Sequence, residues 1–107
     1  MADHKPELTL AQLRDKIDAL DEQLQTLLNK RADLAQQVAH VKRSEEADPV
    51  FYRPEREAQV LRRVKERNAG PLDSEVVARL FREIMSACLA LEQKTRVAFL
   101  GPEGTFT

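Results

Sequence analysis

The fold is decided by residues 13–41, LRDKIDALDEQLQTLLNKRADLAQQVAHV, where one set of positions recurs in alternating steps of four and three. This seam consists of Leu13, Ile17, Leu20, Leu24, Leu27, Arg31, Leu34, Val38 and Val41. Such a heptad pattern is typical of a long α-helix that packs against another helix. Thr9 and Gln12 have the spacing of a capping box, so we expect the helix to begin there.

The length of this helix predicts a homodimer. Neither Gly nor Pro interrupts the chain between Thr9 and Asp48. A helix of about 35 residues would be ~50 Å long, whereas a compact domain of this size is only ~34 Å across. We therefore expect the first helices of two chains to pair, because pairing would bury the part that a single chain cannot cover.

Two shorter helices are predicted after the first. Pro54 suits the first position of the second helix, which should stop at residues 68–71, NAGP. Asp73 is the expected cap of a third helix that runs to about Lys94. The side chains that this helix should bury are Val77, Leu80, Phe81, Ile84, Cys88 and Leu91.

Residues 96–100, RVAFL, have the pattern of a short buried strand, and a loop rich in turn-forming residues follows. The expected fold class is therefore all-α: three helices with a very long first helix in an intertwined homodimer, and a short extended C-terminal tail. Residues 1–94 form the helical domain in this interpretation. Residues 95–107 form a linker and the truncated start of a second domain.

Composition excludes several classes of function. The formal net charge of −1 argues against general binding to nucleic acid or to a membrane surface. No apolar run is long enough to span a bilayer, and the N-terminus is not a signal peptide, so we expect a cytoplasmic protein. Cys88 is the single cysteine, and neither histidine has a partner at ligand spacing. We predict neither a metal site nor a cofactor.

The candidate functional residues are charges that lie on or beside the apolar face. Arg31 occupies a seam position, and burial of its guanidinium is costly unless an anion meets it. Lys42 lies about three turns further on, and Arg14 lies near the other end of the helix. Two arginine forks suit two carboxylates, so we infer a small dicarboxylate as the ligand.

Each of these residues also has a plain structural interpretation. Arg31 could only set the register of a coiled coil, and Arg14 and Lys42 could be solvated cations that flank the seam. Glu57, at the start of the second helix, could pair with Arg53 or Arg56 on the surface. Two residues of the third helix have similar alternatives: Cys88 as a small core residue and Glu92 as an exposed one.

The ordered set of motifs resembles the all-helical chorismate mutases over residues 8–94. The resemblance is carried by residues 13–21 (LRDKIDALD), 27–35 (LLNKRADLA), 41–42 (VK), 49–57 (PVFYRPERE) and 79–86 (RLFREIMS). Residues 97–107, VAFLGPEGTFT, resemble the opening of prephenate dehydratase. Together these segments look like the mutase part of a bifunctional chorismate mutase–prephenate dehydratase.

The resemblance implies a dimer with two shared active sites that rearrange chorismate to prephenate. Arg14 from the partner chain and Arg31 would each hold one substrate carboxylate, and Lys42 would donate to the ether oxygen whose bond breaks. Glu57 would accept from the ring hydroxyl, assisted by the backbone N–H near Arg53.

Three further site residues follow from the same resemblance. Arg56 would support the site, while Cys88 and Glu92 stand where family members often have Ser and Gln. Glu92 would help only while protonated, because the ether oxygen only accepts hydrogen bonds. The alternatives are a non-enzymatic dimerisation or regulatory module, and a mutase-like fold that acts on a related substrate such as isochorismate.

Overall fold

The computed structural model describes residues 7–46 and 48–100, with side chains described through residue 94. It contains three helices: α1 (Leu10–Glu45), α2 (Pro54–Arg67) and α3 (Ser74–Leu100). The described residues contain no strand. The predicted all-α fold class of three helices is therefore confirmed.

The predicted helix starts are confirmed in their local chemistry. Thr9 and Gln12 form a reciprocal capping box: the Thr9 N–H donates to Gln12 Oε1 at 2.9 Å, and the Gln12 N–H donates to Thr9 Oγ1 at 3.1 Å. Pro54 is the first residue of α2, and Asp73 caps α3 by accepting from the Glu75 N–H at 3.0 Å. These contacts use N–H groups that the first turn of a helix leaves without a partner.

The chain divides into two compact units, residues 1–30 and residues 31–107. In the first unit, the described part of α1 is exposed on all sides, including its apolar seam. The exposed fractions of the seam side chains are 44% for Leu13, 56% for Ile17, 57% for Leu20 and Leu24, and 60% for Leu27. The described residues of this unit, 7–30, present an apolar face and include no buried side chain.

The second unit contains the buried side chains, and in it α2 and α3 pack against each other. Its core residues are Ala39, Leu61, Val64, Ala78 and Cys88, each with at most 8% of its surface exposed. Asn68 stabilises the loop between α2 and α3, because its Nδ2 donates to the Leu72 carbonyl at 2.8 Å and to Ser74 Oγ at 3.1 Å. None of the helices in the described part of the chain is long and apolar enough to cross a membrane.

The buried face of α3 differs in part from the predicted one. Cys88 is buried as expected, and Val77, Phe81, Ile84 and Leu91 are half-buried. Leu80 was expected in the core but is 51% exposed, so that prediction is wrong. At 3.6 residues per turn, Leu80 lies about 80° from Cys88 around the helix axis, at the edge of the buried stripe.

The predicted strand over residues 96–100 is also wrong, because α3 continues through this segment to Leu100. Neither Gly nor Pro occurs between Ser74 and Leu100, and each residue added to an existing helix gains a backbone hydrogen bond at little cost. A single strand would leave its backbone groups without a pairing partner. The predicted extended tail is therefore helical as far as Leu100, and residues 101–107 lie outside the described residues.

Candidate active site

A cavity of about 480 Å³ lies in the second unit. Its wall combines the last part of α1, the connector before α2 (residues 48–53), the first two turns of α2, and α3. Seven of the eight predicted site residues line it: Arg31, Lys42, Arg53, Arg56, Glu57, Cys88 and Glu92. The structure thus brings together charges that are up to 61 positions apart in the sequence.

Arg31 is held against α3 by the single cysteine. Its Nη1 donates to Cys88 Sγ at 3.3 Å, across 57 positions of sequence. The guanidinium is half-buried and the thiol is 95% buried, so this contact fixes the arginine at the cavity wall. An arginine has five N–H donors, and one contact to sulfur leaves others free to meet an anion.

Lys42 is oriented by the connector that follows α1. Its Nζ donates to the Val50 carbonyl at 2.9 Å and lies 5.7 Å from the centre of the Phe51 ring. An ammonium group has three donors, and a cation over an aromatic face gains electrostatic stabilisation. Lys42 therefore places an oriented positive charge at the cavity, and its ammonium group has further N–H donors beyond the one that Val50 accepts.

Glu57 lies in the first turn of α2 and accepts a hydrogen bond from Tyr52. The distance from Tyr52 Oη to Glu57 Oε1 is 3.2 Å. This hydrogen bond and the negative charge of Glu57 raise the pKa of Tyr52 above its ordinary value of 10.0. The predicted surface alternative paired Glu57 with Arg53 or Arg56, whereas the structure shows this tyrosine as its donor.

Glu92 is half-buried on α3, two turns before the helix ends. Burial raises the pKa of this carboxyl above 4.5, and the charges of Lys42 and Arg31 act in the opposite direction. The net shift is upward, so desolvation outweighs the two cations. A protonated carboxyl can donate a hydrogen bond that its ionised form cannot.

Arg53 and Arg56 complete the polar wall at the start of α2. Arg53 precedes the helix in an extended conformation, with φ of −127° and ψ of 97°, and its carbonyl accepts from the Glu57 N–H at 3.0 Å. Arg56 Nη1 donates to Gln59 Oε1 at 2.9 Å, one turn further along α2. Four cationic and two acidic side chains therefore line a cavity that suits a small dianion.

The predicted site residues and the residues that line the cavity differ in two respects. Arg14 belongs to the first unit, where its side chain is exposed, and its predicted role requires a second chain. Tyr52, Phe51 and Ser86 line the cavity but were not predicted as site residues. The spacing of five between Tyr52 and Glu57 was the available signal, and its meaning depends on how the connector turns into α2.

The described part of the chain shows no cluster of three or more His, Cys, Asp or Glu side chains that could hold a metal ion. The polar groups of the cavity are cations, carboxyls, hydroxyls and one thiol. These groups can bind, orient and stabilise charge, and they do not form a Ser–His–Asp arrangement. The chemistry they suit is electrostatic stabilisation of a bound anion.

Comparison with known proteins identifies relatives of this helical unit. A family model described as chorismate mutase type II matches residues 13–93. A bifunctional chorismate mutase/prephenate dehydratase of Pseudomonas aeruginosa is 62% identical over 101 residues, which cover 92% of this chain. That match covers 28% of the relative, so the chain spans about a quarter of the length of this curated protein.

Two solved structures have the same fold. Chorismate mutase form II from Thermus thermophilus matches with a TM-score of 0.74 at 30% identity, over 78% of this chain and 93% of that one. Chorismate mutase from Helicobacter pylori, solved in complex with prephenate, matches with a TM-score of 0.72 at 30% identity. This second match covers 80% of this chain and 91% of that one.

Proposed function

Because the chain belongs to the chorismate mutase type II family, we propose that this domain catalyses the rearrangement of chorismate to prephenate. The observation that carries the proposal is the cavity in which Arg31, Lys42, Glu57 and Glu92 meet. The reaction is a pericyclic Claisen rearrangement, in which one C–O bond breaks and one C–C bond forms. It needs no covalent intermediate and no proton transfer, so positioning and electrostatics are the whole task of the protein.

The arginines position the substrate in this proposal. Arg31 binds one carboxylate of the dianion, with Cys88 holding the guanidinium at the wall. The partner subunit's Arg14 binds the other carboxylate. Arg53 and Arg56 add positive potential at the start of α2, where helix N–H groups also favour an anion. Holding the substrate in a compact reactive conformer removes entropy before the barrier is reached.

Lys42 stabilises the transition state by donating to the ether oxygen, on which negative charge grows as the C–O bond lengthens. Its contact with Val50 orients the ammonium in advance. Glu92 donates to the same oxygen while it is protonated, and Glu57 accepts from the ring hydroxyl. A preorganised donor of this kind is typically worth ~2.7–4 kcal/mol, or about 10²–10³ in rate.

A homodimer with two shared sites is part of the proposal. Its support is the exposed seam of α1, where five leucine or isoleucine side chains between positions 13 and 27 each have 44–60% of their surface exposed. A row of large apolar side chains at heptad spacing is stable in water when a second helix covers it. Pairing of α1 with the α1 of a second chain supplies both this cover and Arg14.

We further propose that residues 95–107 lead from the mutase domain toward a dehydratase domain in a longer protein, and that the enzyme acts in the cytoplasm. The support for the first statement is the similarity to a bifunctional relative that is several times longer than the matched region.

The test is turnover of chorismate by the purified chain without added metal or cofactor. We expect chorismate to be consumed and prephenate to accumulate, and we expect Lys42→Ala to remove most of this activity. Arg62→Ala is the matched control, because Arg62 is an exposed cation of α2 that is not among the residues lining the cavity. Failure of the folded wild-type protein to convert chorismate would exclude the proposed function.

A further inference from the structure

Tyr52 is the only tyrosine of the chain, and it lines the cavity beside Glu57. It lies in the connector, two residues before α2 begins, and Glu57 lies in the first turn of that helix. The 3.2 Å hydrogen bond from Tyr52 Oη to Glu57 Oε1 therefore links the connector to α2 at the cavity wall.

This hydrogen bond restricts a group that would otherwise rotate. The last torsion of a glutamate side chain is broad and roughly two-fold, so a carboxylate without a fixed donor samples many orientations. A donor on Oε1 selects one of them and leaves Oε2 with its lone pairs available. Hydrogen bonds to a charged acceptor are also stronger than those between neutral groups.

We propose that Tyr52 is a positioning residue that fixes the Glu57 carboxylate. In this orientation, Oε2 accepts a hydrogen bond from the ring hydroxyl of the bound dianion. The inference rests on the proposed function, because it assigns Glu57 to that hydroxyl. Tyr52 acts through Glu57 and makes no contact with the reacting atoms.

Two further observations agree with this role. The pKa of Tyr52 is raised above 10.0, so the phenol keeps its proton, and remains a donor, through neutral and mildly alkaline pH. The side chain is also 50% exposed, so it contributes little to the core. Removal of its hydroxyl should therefore alter the site more than the stability of the fold.

The test is a double-mutant cycle of Tyr52→Phe and Glu57→Ala, measured in kcat/KM for chorismate and in calorimetric Kd for prephenate. In the wild-type background we expect Tyr52→Phe to lower kcat/KM by about tenfold, the lower end of the range for one hydrogen bond to a charged group. In the Glu57→Ala background the same change should cost less than about twofold, because the carboxylate that Tyr52 orients is gone.

Ser44→Ala is the matched control. Ser44 lies near the end of α1, and its hydroxyl donates to the Val41 carbonyl at 2.7 Å. The control therefore also deletes one hydroxyl and one local hydrogen bond, but outside the cavity lining. Its kcat/KM and its prephenate Kd should equal those of the wild type.

The outcomes separate this inference from the proposed function. An equal loss from Tyr52→Phe in both backgrounds, or no loss in the wild-type background, would overturn the positioning role while chorismate turnover stands. Should Glu57→Ala fall below the limit of the activity assay, the prephenate Kd gives the same coupling. Absence of turnover in the wild type would instead remove the proposed function itself.

Discussion

The two units of this chain differ in whether they contain buried apolar side chains. Between residues 7 and 30, the leucines of α1 form a regular seam with more than two fifths of each side chain exposed. Between residues 31 and 94, smaller and less regular apolar sets are buried, with Val64 at 2% and Cys88 at 5% exposure, and a polar cavity lies beside them. The regular seam also continues into the second unit, where Leu34, Val38 and Val41 are 49–59% exposed. Burial therefore follows the less regular apolar set and not the seam.

The seam changes character at the sequence boundary between residues 30 and 31. Its positions are apolar through Leu27, and the next one is Arg31, whose guanidinium contacts Cys88. A cation at a seam position weakens apolar packing, so we expect Arg31 to have another task. The largest functional effect is therefore expected at the first position where the pattern is broken.

Arg31→Ala should abolish turnover and leave the protein folded. The change removes the proposed clamp on one carboxylate, and we expect a loss of about 10²–10³ in kcat/KM, as for a preorganised donor. Stability should change little, because the half-buried guanidinium carries a desolvation cost that its removal relieves. Mutase assays and circular dichroism melts on Arg31→Ala and on the control Arg62→Ala measure both quantities. A folded variant with near wild-type kcat/KM would make Arg31 a register residue only.

Mixed dimers test the proposal that Arg14 and Lys42 reach one site from different chains. Arg14→Ala and Lys42→Ala should each inactivate the homodimer. Co-refolding of the two variants should restore activity to about a quarter of wild type, because half of randomly paired dimers are mixed and each has one intact site. Recovery should follow the fraction of heterodimer measured by native mass spectrometry. Verified heterodimers without activity would place Arg14 and Lys42 in the same chain's site.

Leu24→Asp should convert the proposed dimer to a monomer. Leu24 is 57% exposed in the single chain, where such a substitution would change stability by no more than about 0.5 kcal/mol. In a paired seam, the same aspartate would be buried without a partner, which costs several kcal/mol. Sedimentation velocity across a concentration series distinguishes the two cases. Thr26→Asp, off the seam on the same helix, is the control and should remain dimeric.

The sequence predicted the elements whose determinants are local. The capping box at Thr9, the start of α2 at Pro54 and the Asp73 cap each depend on residues within one turn, and all three are present. The strand at residues 96–100 was wrong because a short apolar run does not distinguish a strand from a helix that simply continues. Leu80 was wrongly predicted to be buried, because the spacing of apolar residues does not define where the buried face of a helix ends.

The cavity lining was predictable where a charge stood on or beside an apolar seam, and unpredictable where contacts involve the connector. Arg31 and Lys42 are visible in the sequence because they interrupt or flank an apolar seam. The partners that hold them, Cys88 and the Val50 carbonyl, depend on how distant segments meet. Tyr52 was missed for the same reason, since its partner is set by the turn between the connector and α2.

Glu92→Gln changes the side chain whose pKa is raised by burial and lowered by two neighbouring cations. We expect it to have the smallest effect of these variants. Burial raises the pKa of Glu92 above 4.5 against the pull of Lys42 and Arg31, so the helpful protonated form persists beyond the range of a free glutamate. If Glu92 donates to the ether oxygen as proposed, activity should be full below the raised pKa and should fall as pH increases through it. We expect a decline of about threefold to tenfold, smaller than the loss of a whole donor, because Lys42 still donates.

The raised pKa of Glu92 also predicts how the stability of the fold changes with pH. A carboxyl whose pKa is raised by folding binds its proton more tightly in the folded state, so stability falls as pH rises from 4.5 through the raised pKa. Glu92→Gln keeps the shape and offers an N–H donor at every pH, so it should flatten both profiles and raise activity at the alkaline end. The measurements are kcat/KM and melting temperature from acid to mildly alkaline pH. Superimposable pH profiles for wild type and Glu92→Gln would remove Glu92 from the site. A side chain that neither donates to the substrate nor repels it should change neither kcat/KM nor melting temperature as pH varies.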